Sequence, residues 1–171
     1  MTNEELSKEL FRLRAGEMQA LETIYLELRK PVMTVICRIV RDAVLAEELM
    51  QDVFVKLWRS PPKEDVKNPR AWLFRVAHNL AIDSLRRRTA AELPETLAAP
   101  RFEEGVHARL DVERALAQLD TPDREIVTLH LNAQLRFREV AEVSGLPLGT
   151  VLWRYSRAIG RLRALLNEGG I

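Results

Sequence analysis

The 171 residues contain a single cysteine, Cys37. A disulfide within the chain and a multi-thiolate zinc site each need at least two thiols, so both are excluded, and a reducing compartment is the natural setting. Glycine and proline are sparse, at seven and eight residues, and alternating β-branched runs are nearly lacking, so the sequence does not read as strands. No apolar run approaches the roughly 20 residues that span a bilayer, and the opening MTNEELSKEL is acidic and polar where a secretory leader would be basic and then apolar. The expectation is a cytoplasmic protein without membrane insertion. Net charge is only +1, so any affinity for a polyanion must reside in local clusters. With 47% hydrophobic and 30% charged residues, wholesale disorder is excluded as well.

What is present is helical periodicity. Leu6, Leu10 and Leu13, then Leu21, Ile24 and Leu28, recur at intervals of three and four, and Pro31 is expected to punctuate that stretch. A second helix is predicted over 32–40 and a third over 43–59, where Leu45, Leu49, Val53 and Leu57 form a stripe that Ser60, Pro61 and Pro62 end. Asn68 and Pro69 predict a helix start, because Asn accepts a hydrogen bond from a free amide and Pro has none to leave unpaired. From Thr89 to Glu113 the composition shifts to Pro94, Pro100, Gly105 and six acids against Arg101 and Arg109. Helices resume with Leu110, Leu116 and Leu119 and restart at Thr121 and Pro122. The fold class is therefore all-α: two small helical domains, 1–88 and 112–171, joined by a flexible acidic linker over 89–111.

Basic charge gathers in two places. Lys67, Arg70, Arg75, Arg86, Arg87 and Arg88 face only Asp83, and Arg154, Arg157, Arg161 and Arg163 face no acid between Gly149 and Arg163. Such clusters neutralise phosphates and release counterions, although a solvated helix face is the plain alternative. In the first cluster Trp72 and Phe74 lie beside Arg75, His78 and Asn79. Aromatic faces stack on unpaired bases and Asn offers a donor and an acceptor on one amide; Phe74 reads more readily as core, and Trp72 equally as core or as a base-facing ring. The second cluster lies in RFREVAEVSGLPLGTVLWRYSRA, with Ala141 at a close helix crossing, Gly145 in the turn, and Leu146 and Val151 as core anchors. That is helix-turn-helix spacing, and a helix from about Pro147 would enter the major groove.

Other chemistry has little support. His78, His107 and His130 lack ligand spacing and no glycine-rich phosphate loop is present, so neither metal nor other cofactor is expected. Cys37 within VICRIV reads as a packed core thiol. On the third helix Glu48, Gln51, Asp52, Val55 and Arg59 repeat on the face opposite the apolar stripe.

AEELMQDVFVKLWR, NPRAWLFRVAHNLAIDSLRRR, LAQLDTPDREIVTLHL and EVAEVSGLPLGTVLWRYSRA, in that order, resemble bacterial RNA polymerase sigma factors of the extracytoplasmic-function (ECF) type. The resemblance implies a sigma factor and no enzyme of its own. It gives Glu48, Gln51, Asp52 and Val55 the role of docking on the clamp helices of the largest polymerase subunit. It gives Trp72, Arg75, His78, Asn79, Asp83, Arg86 and Arg87 the reading and melting of the minus-ten promoter element, with the 61–69 loop closing over an extruded base. Thr150, Leu152, Trp153, Arg154, Arg157 and Arg161 fall on the helix that reads the minus-thirty-five element, in a domain that also touches the flap of the second-largest subunit. Promoter DNA and core RNA polymerase are thus the implied partners, and an anti-sigma factor joins the candidates. Leu152 and Trp153 depart from the basic and small polar residues usual in the family, and Ser144 from an apolar one. The competing readings are a free-standing helix-turn-helix regulator and a helical adaptor that binds only protein.

Overall fold

The computed structural model describes residues 1–90 and 106–168. Among them are eight helices and no strand: α1 (Asn3–Arg14), α2 (Met18–Val40), α3 (Ala43–Arg59), α4 (Pro69–Ala90), α5 (Val106–Ala117), α6 (Thr121–Leu131), α7 (Phe137–Ser144) and α8 (Leu148–Glu168). The predicted linker lies mostly outside the described residues; α4 runs two residues into its start, and α5 already begins at Val106.

Local chemistry sets most helix ends. Thr2 and Glu5 form a reciprocal capping box on α1, the Glu5 amide donating to Thr2 Oγ1 at 3.2 Å and the Thr2 amide to Glu5 Oε2 at 2.6 Å. Asp42 caps α3 by accepting from the Leu45 amide, and Asp120 caps α6 by accepting from the Asp123 amide. Gly145 closes α7 in the left-handed region at φ 71°, where a residue with a Cβ is strained.

Two expectations are corrected. Pro31 does not end a helix: it lies inside α2, and the break falls earlier, at Gly16 with φ 90°. Proline withholds an amide from the carbonyl four residues back. Leu28, Val32 and Val35 nevertheless bury on one face across Pro31 and hold both halves in the same core. At the start of α4, Asn68 does not cap the free amides. Asn3 of α1 does so instead, its Oδ1 accepting from the Arg70 amide at 3.1 Å while its Nδ2 donates to Asn68 Oδ1 at 2.7 Å.

The first four helices surround a core that includes Ile24, Ile36, Leu57, Leu73 and Phe74, all nearly removed from water. That core does not stop at the module boundary. Ile126, Leu129, Leu135 and Val140 from the second module belong to the same buried cluster, because α2 packs on α6 and α4 on α7. A smaller cluster of Leu116, Leu119, Val127 and Ala158 ties α5 and α6 to α8. The two domains are distinct along the chain and packed against one another in space. Cys37 is buried in the first, as expected, and burial pushes its thiol up to about 11.

Candidate nucleic-acid interface

The outer face of α3 carries the first candidate surface. Glu48, Gln51, Asp52 and Val55 are all exposed, opposite buried Leu49, Val53 and Leu57. Val44 and Trp58 continue the surface as exposed apolar residues, so the face offers acids beside uncovered hydrophobic area.

On α4 the tertiary structure divides the predicted residues. Asn79, Asp83, Arg86 and Arg87 are exposed, and Trp72 is half-buried against the core. His78 is not open to solvent: it is buried, its Nε2 lying 2.7 Å from Glu125 Oε1 on α6. Burial by itself disfavours the imidazolium, yet the hydrogen bond and charge of Glu125, helped by Asn79, outweigh it and raise the pKa of His78 above 6.5. Arg75 is exposed but reaches Glu142 on α7 at 3.3 Å.

The basic cluster on α4 is therefore smaller than its composition. Arg70 is buried, donating to the carbonyls of Met1 and Ala133, and burial lowers its pKa. Arg88 pairs with Asp42 at 2.8 Å. Arg86 and Arg87 remain at the exposed end of the helix, with Arg86 4.0 Å from Asp83, a separation at which water screens most of the attraction.

The interface between modules draws on residues that carry no local signal in the sequence. Arg38 donates to Asn132 Oδ1 at 2.7 Å, to Thr128 Oγ1 at 3.1 Å and to Glu113 Oε1 at 2.8 Å. Glu125 and Glu142 meet α4 in the same way. Nothing in the spacing of these residues announces a partner so far along the chain.

The helix-turn-helix is formed by α7, Gly145 and α8. Val151 is fully buried, Leu146 and Ala141 pack against the core, and His130, Phe137 and Tyr155 make an aromatic cluster with the first two rings stacked at 4.2 Å. On α8, Leu152 is 45% and Trp153 58% exposed, Arg161 is exposed and Thr150 half-buried. Arg154 and Arg157 turn toward α6, where the Asp123 side chain, 4% exposed, accepts from Arg154 Nη1 at 2.8 Å. It also accepts from Arg157 Nε at 2.9 Å and Nη2 at 2.7 Å. A buried carboxylate left unpaired costs about 3–5 kcal/mol. Asp123 is shared by two guanidinium groups, so it stays paired unless both of them leave. The clamp has no local signal, because Thr121 and Pro122 read as a helix start without any reference to α8.

Among the described residues no group of three or more His, Cys, Asp or Glu could hold a metal, and no helix is long and apolar enough to cross a membrane.

Residues 24–91 match Sigma-70 region 2, and residues 109–162 match Sigma-70, region 4. The chain is similar to the ECF RNA polymerase sigma factor RpoE of Cereibacter sphaeroides, 33% identical over 129 residues that cover 69% of this chain and 70% of that one. It is also similar to the ECF sigma factor SigL of Mycobacterium tuberculosis, 29% identical over 167 residues covering 92% and 94%. Among solved structures it resembles the sigma factor RpoE of Bartonella quintana, in complex with the anti-sigma factor NepR. That match has a TM-score of 0.73 and 25% identity, and covers 85% of this chain and 96% of that one. CnrH in complex with the cytosolic domain of CnrY matches with a TM-score of 0.66 and 25% identity over 96% and 98%. Two sigma regions in the expected order, on a helical frame shared with solved sigma factors, place the chain in the ECF sigma factor family, whose members direct RNA polymerase to promoters and are not enzymes.

Proposed function

We propose that the three exposed surfaces divide the work of initiation. The face of α3 bearing Glu48, Gln51, Asp52 and Val55 docks on the clamp helices of the largest polymerase subunit. Asn79 reads an extruded base of the minus-ten element, Trp72 helps hold the strands apart, and Arg86 and Arg87 meet backbone phosphates. Helix α8 reads the minus-thirty-five element and its domain touches the flap. The protein works in the cytoplasm, and an anti-sigma factor is a natural antagonist, since the Bartonella quintana sigma factor it resembles is bound to one.

The observation that carries this reading is the uneven accessibility of the surfaces. The α3 face is uncovered, whereas Arg75 and His78 of α4 are engaged by Glu142 and Glu125. A protein whose polymerase-binding face is open while part of its DNA-reading face is occupied needs polymerase to separate its modules before it engages a promoter. Transcription by core polymerase from a promoter library, with and without the protein, tests this. Promoter-specific transcripts are expected only when both are present. Equal promoter binding by the protein alone points instead to a free-standing regulator, and salt-insensitive behaviour without DNA binding to an adaptor.

A further inference from the structure

The first turns of α8 present two kinds of side chain in two directions. Toward α6 go the forks of Arg154 and Arg157. The Asp123 carboxylate accepts one hydrogen bond from Arg154 and two from Arg157, while Asp120 Oδ2 lies 2.9 Å from Arg157 Nη2 and 3.7 Å from Arg154 Nη1. The Trp153 ring stands 4.7 Å from the Arg157 guanidinium, so that group is held between carboxylates and an aromatic face. Outward go Leu152, Trp153 and Ser156, all exposed.

Arginine recognises guanine through the same planar fork that pairs with a carboxylate. Arg157 is itself 44% exposed, but its Nε and Nη2 are filled by the buried Asp123 carboxylate, and an edge so filled is not free to pair with guanine. We infer that Asp123 is a positioning residue for promoter specificity: it keeps Arg154 and Arg157 on α6, so that Leu152 and Trp153 meet the base edges and the upstream element is read by apolar contact with thymine methyl groups. The thymine methyl is the apolar feature of the major groove, and a leucine side chain offers guanine no hydrogen bond. This inference rests on the reading of α8 as the upstream-reading helix.

The test is a binding-site selection with the holoenzyme, the minus-thirty-five element randomised and the minus-ten element fixed. The wild-type protein is expected to enrich thymine at one or more upstream positions. Asp123→Asn keeps the size of the side chain and loses the charge that holds two guanidinium groups, so guanine should rise at an upstream position by about tenfold, the size of a good base contact. Binding should also fall more steeply with salt as freed cations reach phosphates. Adding Arg154→Gln and Arg157→Gln to that variant should abolish the guanine gain, an effect that loss of helix packing alone would not produce. A folded Asp123→Asn protein that binds polymerase and selects unaltered sequences overturns the inference. If that variant does not fold, Leu152→Ala combined with Trp153→Ala decides the matter: loss of the thymine enrichment supports apolar reading, and its persistence overturns it. A wild-type holoenzyme that depends on the minus-ten element but selects nothing upstream refutes the reading of α8 itself, and the inference falls with it.

Discussion

His78 on α4 and Glu125 on α6 stand 2.7 Å apart, so a residue of the helix proposed to read the minus-ten element has its charge partner in the other module. The contact makes the packing of the two modules depend on pH. Because the folded-state pKa of His78 is raised above 6.5, the stabilisation is complete below that value and is lost as pH rises through the raised one. Fluorescence energy transfer between labels on the two modules is expected to report opening as pH rises above 6.5, with the response flattened in His78→Gln. Opening confined to the acidic side would contradict this assignment.

Limited proteolysis should cut first between Arg88 and Val112, where proline, glycine and acidic residues interrupt the helical pattern. The cleaved halves should then co-elute on size exclusion, because Arg38 bridges to Glu113, Thr128 and Asn132 and because both modules contribute to one buried cluster. Cleavage spread evenly along the chain would refute the division into two modules, and halves that part at once would refute their packing.

Gly145 has φ 71° and open space where a Cβ would stand, so its replacement costs backbone strain alone. Gly145→Val should lower unfolding stability by about 1–2 kcal/mol in urea titrations. Gly149, which also has open space around it and no positive φ, is the control, and Gly149→Ala should cause no loss.

Asn79 is exposed and its contact with His78 Nδ1 is long, at 3.4 Å, so Asn79→Ala should change stability by less than about 0.5 kcal/mol. Loss of both amide groups should reduce open-complex formation by about 5- to 150-fold, the equivalent of about 1–3 kcal/mol. Polymerase affinity, measured separately by fluorescence anisotropy, should persist; a parallel fall would place Asn79 in the docking surface instead.

Helix ends and the apolar faces were legible in the sequence because their causes are local. Gly145 supplies its own left-handed turn, and the stripe of Leu49, Val53 and Leu57 is buried as its spacing predicts; the caps at Asp42 and Asp120 are equally local, although the sequence alone places the start of α6 on Thr121 and Pro122. Pro31 was misleading for a related reason: its local preference is outweighed by the burial of Leu28, Val32 and Val35 on both sides of it. Only the tertiary structure decided which cations remain free for nucleic acid. Arg70, Arg88 and Arg154 look alike with Arg86, Arg87 and Arg161 in a list of basic residues, yet the first three are committed to Ala133, Asp42 and Asp123. Those partners lie 63, 46 and 31 residues away. Sequence spacing constrains neighbours within a turn or two of helix, whereas the desolvation that fixes a buried charge on its partner exists only after distant helices have packed.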